Sequence, residues 1–347
     1  QAHARLTRRA STLPLMPEHS LPPHGYFTAA AQIKEKTKRC KMSIDRLQEK
    51  IFAMENPSAF GLDPLPEYIP PDIMTRHIAE KGETLAAAAA AYEEFGRGLI
   101  DALCDIVPAI KIQSAFFEML GPEGVAAMKR AAQYAREKGL YVIGDVKRGD
   151  IGSTAAAYSA AYLGRVQIGS AALAGFDFDC VTINAYLGSD GVRPFIETCK
   201  KYDKAVFALV KTSNPSSREL QDLSVGTEKL FETVGRLLES LAADTVGASG
   251  YSCVGAVAGA TYPEELRLLR EKLTGTFFLV PGYGAQGGAA KDVAAAFDRH
   301  GGGAIVNSSR GIICAWQKTG RGGRDYQEAA RAAALAMKAD LLSVLPR

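Results

Sequence analysis

The hydrophobic and polar positions along the chain form a repeating pattern, in which a short apolar run precedes a longer segment of helical character. The apolar runs lie at residues 60–62, 109–112, 141–144, 181–183, 205–210, 253–256, 277–280 and 304–306. They are continuous rather than alternating, which is typical of strands that are buried on both faces. Helix candidates lie between and after them, at residues 83–106, 123–138, 153–162, 229–243, 263–272, 289–299 and 326–342.

This alternation predicts an α/β fold, and eight units favour a (β/α)8 TIM barrel over a doubly wound sheet. The first 45 residues do not join the pattern, because four prolines between 14 and 23 interrupt them. Residues 1–45 faintly resemble the end of a transit peptide, but a disordered N-terminal extension or a cloning remnant is the favoured interpretation. Residues 46–347 then form a single barrel domain, with residues 213–226 as a loop insertion after the fifth strand.

Composition narrows the class of protein. The 41 Lys and Arg nearly balance the 38 Asp and Glu, which argues against a nucleic-acid or membrane-surface partner. No apolar run reaches the ~18 residues that a membrane span needs. The six cysteines lie far apart without a CxxC pair. This spacing argues against a zinc site and for reduced thiols in a cytoplasmic enzyme.

Histidine chemistry is not expected. Three of the five histidines, His3, His19 and His24, lie in the N-terminal arm, so only His77 and His300 remain for the barrel. Neither falls in a segment rich in glycine or carboxylates, which argues against a Ser-His-Asp triad, a Cys-His pair or a multi-histidine metal site. Any chemistry is expected to use Lys, Asp and backbone groups.

The densest polar segment, residues 144–154, follows the third strand. Asp145 and Lys147 are two residues apart, so their side chains leave the same face, and Asp150 follows closely. A barrel strand can hold such charges only at the interior mouth, at its carboxyl end. A surface salt-bridge cluster is the alternative, but three charges at the end of a buried strand favour a functional site.

Lys111 interrupts the second apolar run, where a lysine is costly unless a carboxylate pairs with it. It could reach Asp145 on the neighbouring strand, or extend out of the barrel end. The first choice gives an alternating array of Lys111, Asp145, Lys147 and Asp150. Because a lysine between carboxylates stays charged, the array favours a proton donor to a developing carbanion over a Schiff base. Mg²⁺ could bind the carboxylates instead, but the lysines would compete with it.

Residues 281–288 follow the seventh strand. Gly282, Gly284 and Gly287 match the G-x-G-x-x-G pattern of dinucleotide-binding sites, but that pattern is expected after the first strand of its unit. A glycine-rich loop before a helix can also bind a phosphate group through its backbone N–H groups, and barrels commonly place such a site after strands seven and eight. Arg310, after the eighth strand, could hold the same phosphate.

Two other loops reach the predicted mouth of the barrel. Asp63 ends the first strand, where it could bind sugar hydroxyls or serve only as a turn residue before Pro64. Residues 211–215 follow the fifth strand and offer hydroxyl and amide groups.

Taken together, these segments resemble the orotidine 5′-phosphate decarboxylase family. The similarity lies in residues 109–113, 145–154, 212–215, 281–288 and 309–311, in the same order and spacing. The insertion after strand five and residues 186–188 after strand four resemble the longer branch of the family.

The resemblance implies a carboxy-lyase of pyrimidine biosynthesis that converts orotidine 5′-phosphate to UMP and CO₂ without a cofactor or metal. It implies that Lys147 protonates C6, that Asp145 faces the substrate carboxylate, and that Lys111 holds Asp145 and the ribose. It also implies a homodimer in which Asp150 and Thr154 act across the interface.

The remaining contacts implied by the resemblance concern the substrate. Asp63 would contact the ribose, Ser213 the pyrimidine and Pro281 the base pocket, while Gln286 and Arg310 would bind the phosphate. Two residues depart from the pattern of some relatives: Ser309 stands where shorter ones have glycine, and Gln113 where some have asparagine.

Three alternatives stay open at this stage. One is a Mg²⁺-dependent sugar-phosphate decarboxylase or aldolase of the same superfamily, and another is an NAD-dependent oxidoreductase built on the glycine pattern. The third is an inactive barrel that serves as a partner of orotate phosphoribosyltransferase, although the intact charged array argues against it.

Overall fold

The computed structural model describes residues 42–284 and 289–345. Eight parallel strands close into a barrel in the order β1-β8-β7-β6-β5-β4-β3-β2, which confirms the predicted architecture. Each strand overlaps one of the predicted apolar runs. The strands are β1 (Ser58–Leu62), β2 (Ala109–Gln113), β3 (Tyr141–Arg148), β4 (Cys180–Ile183), β5 (Ala205–Lys211), β6 (Val254–Ala258), β7 (Phe278–Val280) and β8 (Ala304–Ser308).

Helices surround the barrel and connect its strands. They are α1 (Ser43–Ala53), α2 (Pro71–Lys81), α3 (Leu85–Leu103), α4 (Ser114–Glu118), α5 (Gly121–Glu137), α6 (Gly152–Tyr162), α7 (Ser189–Tyr202), α8 (Arg218–Gln221), α9 (Leu230–Leu241), α10 (Pro263–Lys272), α11 (Ala290–Val293), α12 (Arg310–Ile313) and α13 (Tyr326–Val344). Short 3₁₀ turns lie at Pro66–Tyr68, Pro215–Ser217, Ala243–Thr245, Ala294–Ala296 and Ala315–Lys318. None of the helices in these described ranges is long and apolar enough to cross a membrane.

The strands are apolar throughout because both of their faces are buried. On β2, Ile110 and Ile112 pack into the layer between strands and helices, whereas Ala109 belongs to a second cluster inside the barrel. Lys111 lies between the two isoleucines on the interior side and reaches the carboxyl-end mouth. The charged residue in this apolar run therefore lies where the interior of the barrel opens to a pocket.

Helix α1 packs against residues of the interior cluster at the amino ends of the strands. Its residues Ile44, Leu47 and Ile51 are buried there. The Asp45 carboxylate accepts hydrogen bonds from the backbone N–H groups of Ala248 and Ser249, at 3.1 and 2.7 Å. The predicted arm extended to about residue 45, so its last three residues belong to this helix, while residues 1–41 lie outside the described part of the chain.

The chain differs from the predicted elements in several further places, and helix α2, for example, was not predicted. Helix α7 was not predicted, and it contains Pro194, a residue that usually argues against a helix interior. The helix predicted over residues 289–299 is only Ala290–Val293 with a 3₁₀ turn after it. The helical run ends because Phe297 is extended, and the carbonyl of Ala296 accepts a hydrogen bond from Arg270 Nε at 2.8 Å.

The insertion after β5 is more ordered than the loop predicted for residues 213–226. It contains the turn Pro215–Ser217, helix α8, and a hairpin of Ser224–Val225 with Glu228–Lys229. A second hairpin, Val166–Ile168 with Ala171–Leu173, follows α6 and exposes all six of its residues.

Candidate active site

A pocket of about 740 Å³ opens at the carboxyl ends of the barrel strands. Its wall contains residues from every part of the predicted site that the structure describes, except Asp150 and Thr154. The lining residues are Asp63, Tyr68, Lys111, Gln113, Phe116, Asp145, Lys147, Thr182, Leu209, Thr212, Ser213, Asn214, Gln221, Val257, Leu279, Pro281, Gly282, Tyr283, Asn307, Ser309 and Arg310.

Asp145 is the centre of the charged array at the base of this pocket. Lys111 Nζ lies 2.9 Å from its Oδ2 atom, and Lys147 Nζ lies 2.6 Å from its Oδ1 atom. Lys111 also lies 3.2 Å from Asp63 Oδ1, because β1 and β2 pair with Gly61 opposite Lys111. The array within one chain is therefore Asp63, Lys111, Asp145 and Lys147.

The array keeps its buried members charged. Burial opposes the charge on Lys111, but the carboxylates of Asp145 and Asp63 outweigh it and raise the pKa of Lys111 above its ordinary value. Burial likewise opposes the charge on Asp145, yet Lys111 and Lys147 hold the pKa of Asp145 below its ordinary value of 3.8. A carboxylate thus lies between two ammonium groups in a site where Lys111 is only 3% exposed.

Two uncharged side chains complete the shell around Asp145, and neither was predicted as a site residue. Gln113 Nε2 donates to Asp145 Oδ2, and Thr182 Oγ1 donates to Asp145 Oδ1, both at 2.9 Å. Thr182 Oγ1 also accepts from the backbone N–H of Lys147 at 2.9 Å. Lys147 has a φ of +45°, a conformation that costs energy in a non-glycine residue.

Asp150 and Thr154 do not join this array within one chain, contrary to the four-residue array predicted from spacing. Asp150 Oδ1 accepts a hydrogen bond from the backbone N–H of Ile151 at 2.8 Å, and Thr154 is exposed on α6. The reason is the chain direction, since β3 ends at Arg148 and Asp150 already lies in the turn that leads into α6.

The opposite wall of the pocket contains the expected phosphate-binding segments. Gly282 and Gly284 have φ values of +102° and +74°, which glycine tolerates and other residues rarely adopt. Arg310 is exposed, lines the pocket, and has no carboxylate partner among residues 42–284 and 289–345. Gln286, predicted to share the phosphate, lies outside the described residues.

Asp63, Ser213 and Pro281 all line the pocket, as their predicted roles require. Asn307 lines it too, and its buried Oδ1 atom has no hydrogen-bond partner among the described residues. A buried acceptor of this kind is costly unless a ligand or water pairs with it. Asn307 was not predicted as a site residue, although its position directly after the apolar run 304–306 could have indicated it.

The geometry also bears on the two enzyme alternatives. The Lys111 ammonium occupies the space between the carboxylates of Asp63 and Asp145, which is where a shared divalent cation would bind. A dinucleotide site needs an acid about 20 residues after its glycine pattern to bind the ribose. Asp298 is the acid closest to that separation, but it accepts hydrogen bonds from Tyr251 and from two backbone N–H groups, so it is not free to bind a ribose. Neither a magnesium site nor a dinucleotide site is built from these residues.

Gly61 explains how the chain accommodates serine at position 309. A Cβ atom on Gly61 would lie 1.9 Å from Ser309 Oγ and 2.9 Å from Ser309 Cβ. The absence of a side chain at position 61 therefore allows Ser309 and the neighbouring Arg310 to occupy the pocket wall.

We expect Gly61→Ala to destabilise the protein by about 1–3 kcal/mol, because it overpacks this contact. The double variant Gly61→Ala/Ser309→Gly removes both clashing atoms, and it should recover most of the loss in denaturant unfolding. A Gly61→Ala protein with an unchanged unfolding midpoint would contradict this account of the contact.

A polar pocket at the carboxyl ends of a closed parallel barrel is the arrangement of (β/α)8-barrel enzymes. The family model for orotidine 5′-phosphate decarboxylase / HUMPS proteins matches residues 98–320 of this chain. The chain is 42% identical over 300 residues to the orotidine 5′-phosphate decarboxylase of Rhodopirellula baltica, covering 85% of this chain and 97% of that protein. It is 41% identical over 273 residues to the protein of the same name from Caldicellulosiruptor bescii, covering 79% and 90%.

The solved structure of Leishmania donovani OMP decarboxylase superposes with a TM-score of 0.63 at 31% identity, covering 87% of this chain and 99% of that chain. This chain belongs to the orotidine 5′-phosphate decarboxylase / HUMPS family.

Proposed function

We propose that this protein decarboxylates orotidine 5′-phosphate to UMP and CO₂, as a carboxy-lyase of pyrimidine biosynthesis that uses no cofactor. The observation that carries the proposal is the Lys111–Asp145–Lys147 array, with Lys147 Nζ 2.6 Å from the Asp145 carboxylate at the base of a nucleotide-sized pocket. Family membership supports the same reaction.

In the proposed mechanism, Asp145 faces the substrate carboxylate and Lys147 lies beside C6 of the pyrimidine. The bond from C6 to the carboxylate carbon breaks, and its electron pair stays on C6 while CO₂ leaves. Lys147 then donates a proton from Nζ to C6, which gives UMP. Lys111 holds Asp145 in place, since its ammonium is paired on two sides and cannot move freely.

Repulsion between Asp145 and the substrate carboxylate is too small to account for the reaction alone. Two unit charges ~4 Å apart interact by ~4 kcal/mol at an effective dielectric of ~20. Enzymes lower barriers by ~8–23 kcal/mol. The larger share in this proposal comes from the fixed Lys147 charge, which stabilises the developing carbanion, and from binding of the phosphate group.

The substrate's other groups would contact the remaining pocket residues. Asp63 would accept hydrogen bonds from the ribose, Ser213 would contact the pyrimidine, and Pro281 would pack against the base. Arg310 and Gln286 would bind the phosphate. The Arg310 guanidinium at the pocket wall pairs with no carboxylate of the described residues, which supports its part in this proposal.

We also propose a homodimer in which Asp150 and Thr154 reach the partner's pocket. Neither residue lines its own pocket, and Ile151, which lies between them, is 54% exposed. Ile168 and Tyr186, which follow in the chain, are 61% and 75% exposed. Large apolar side chains exposed in one protomer support this proposal, because protein interfaces bury such side chains.

Mixing two inactive variants tests the shared site. Dimers of Lys147→Ala chains with Asp150→Ala chains would restore one intact site per mixed dimer, or about a quarter of the unaltered activity after random exchange. Each variant exchanged only with itself is the control and should stay inactive. No recovery in verified mixed dimers would contradict a shared site.

We also propose a cytoplasmic location and an association with orotate phosphoribosyltransferase. The described cysteines are all unpaired thiols, which supports a reducing, cytoplasmic location. An association with orotate phosphoribosyltransferase rests on the family resemblance alone.

Ligand-dependent thermal unfolding distinguishes the proposed substrate site from a magnesium-dependent site and from a dinucleotide site. We expect UMP to raise the melting temperature in the presence of EDTA, because binding to the folded state alone stabilises it. NAD should leave the melting temperature unchanged. A shift with NAD, or a shift with UMP that requires Mg²⁺, would overturn the proposed site.

A further inference from the structure

Lys211 is a buried lysine that the proposed mechanism does not use. It ends β5, is 1% exposed, and lies outside the array around Asp145. Its Nζ atom donates to Asp222 Oδ1 at 2.5 Å and lies 4.8 Å from the centroid of the Tyr262 ring and 5.3 Å from that of Phe231. A buried ammonium needs such partners, so the position of Asp222 is fixed relative to the barrel.

Asp222 belongs to the insertion that follows β5, which has few apolar anchors of its own. Leu220, Leu223 and Val225 are each 46–52% exposed and do not pin the segment to the core. The ion pair with Lys211 is therefore a principal contact between the insertion and the barrel. Arg218 Nε lies 3.9 Å from the second oxygen of Asp222 and provides a weaker partner.

Gln221, the residue before Asp222, connects this ion pair to the pocket wall. Gln221 Oε1 accepts from the backbone N–H of Thr212 at 2.9 Å, and Gln221 Nε2 donates to Thr212 Oγ1 at 2.7 Å. Thr212 Oγ1 in turn donates to Asn214 Oδ1 at 2.7 Å. Gln221, Thr212 and Asn214 all line the pocket, together with Ser213.

We propose that Lys211 and Asp222 are positioning residues, which hold Gln221 and the turn of residues 212–214 as the wall that contacts the pyrimidine. Lys211 at the end of β5 pairs with Asp222, and the neighbouring Gln221 makes two hydrogen bonds to Thr212. These contacts connect the barrel to that wall. The inference rests on the proposed function, because it assigns the pyrimidine end of the substrate to this wall.

The assignment predicts a loss of binding that depends on the base. UMP reaches the wall, whereas ribose 5-phosphate, which lacks the pyrimidine, reaches only the ribose and phosphate contacts. Asp222→Asn should raise the inhibition constant of UMP about tenfold, a change equivalent to ~1.4 kcal/mol. The inhibition constant of ribose 5-phosphate should stay within about twofold, since its contacts do not involve the insertion. Lys211→Met should give the same pattern.

The control is Lys204→Met, at the opposite end of β5. Lys204 is also buried and pairs with an aspartate, Asp177, at 2.9 Å, but it is remote from the pocket. Its loss should leave the ratio of the two inhibition constants unchanged, even if the melting temperature falls.

The experiment measures both inhibition constants and the melting temperature of each full-length variant. An unchanged UMP constant in Asp222→Asn, equal weakening of both ligands, or failure of both Asp222→Asn and Lys211→Met to fold would overturn the positioning role. If the unaltered chain does not bind UMP, the proposed function fails and this inference fails with it. If it binds UMP and only the variant pattern is absent, this inference alone is wrong.

Discussion

Lys147→Ala should lower kcat by about 10⁴-fold, because it removes both the proton donor and a charge that stabilises the carbanion. The affinity for UMP should stay within about tenfold, since the ribose, base and phosphate contacts come from other residues. The substitution keeps a Cβ atom at a φ of +45°, so the backbone preference at this position is little altered. Turnover of orotidine 5′-phosphate and calorimetric binding of UMP measure the two quantities.

Lys129→Ala is the matched control for this experiment, because it removes an exposed lysine on α5, away from the pocket. It should retain the kcat of the unaltered chain. A Lys147→Ala protein with near-normal kcat would remove Lys147 from the mechanism.

Asp145→Asn should cost both activity and stability. Loss of the carboxylate leaves Lys111 buried beside Lys147 with only Asp63 as a counter-charge, and breaking a buried ion pair costs about 3 kcal/mol. We expect kcat/KM to fall by at least about 10²-fold, because the array no longer fixes charge at the reacting centre. Asp101→Asn, which breaks the exposed pair between Asp101 and Lys138, should change neither quantity much.

The same ion pairs set the acid dependence of stability. The pKa of Asp145 is lowered in the folded state, so its contribution is complete above the ordinary value of 3.8 and is lost as the pH falls through the lower, folded value. The free energy of unfolding of Asp145→Asn should therefore fall less steeply on acidification than that of the unaltered chain. Parallel urea titrations between about pH 5 and pH 2 test this, and identical slopes below about pH 4 would contradict it.

Much of the site could be predicted because a charged residue in a buried barrel strand is tolerated at few positions, chiefly at the mouth of the barrel. Lys111 lies between two isoleucines, and Asp145 and Lys147 end an apolar run, so the barrel requires all three at its mouth. Their predicted proximity is present in the structure, and Lys111 and Asp145 lie 2.9 Å apart.

Other parts could not be read from spacing. Thr182 was missed because threonine is an ordinary strand residue, and only the packing of β4 against β3 shows its bond to Asp145. The pairing of Asp63 with Lys111 depends on the register of β1 and β2, and Asp150 leaves the array because the strand ends two residues before it. The insertion after β5 was predicted as a loop because its sequence is polar. The sequence does not show that Asp222 pairs with the buried Lys211.

Decarboxylase activity is tested directly by the absorbance of orotidine 5′-phosphate after addition of the purified protein in the presence of EDTA. We expect a steady loss of substrate absorbance, with UMP formed in equal amount and no requirement for added metal or cofactor. Substrate that stays unchanged in the presence of folded protein, or turnover that EDTA abolishes, would contradict it.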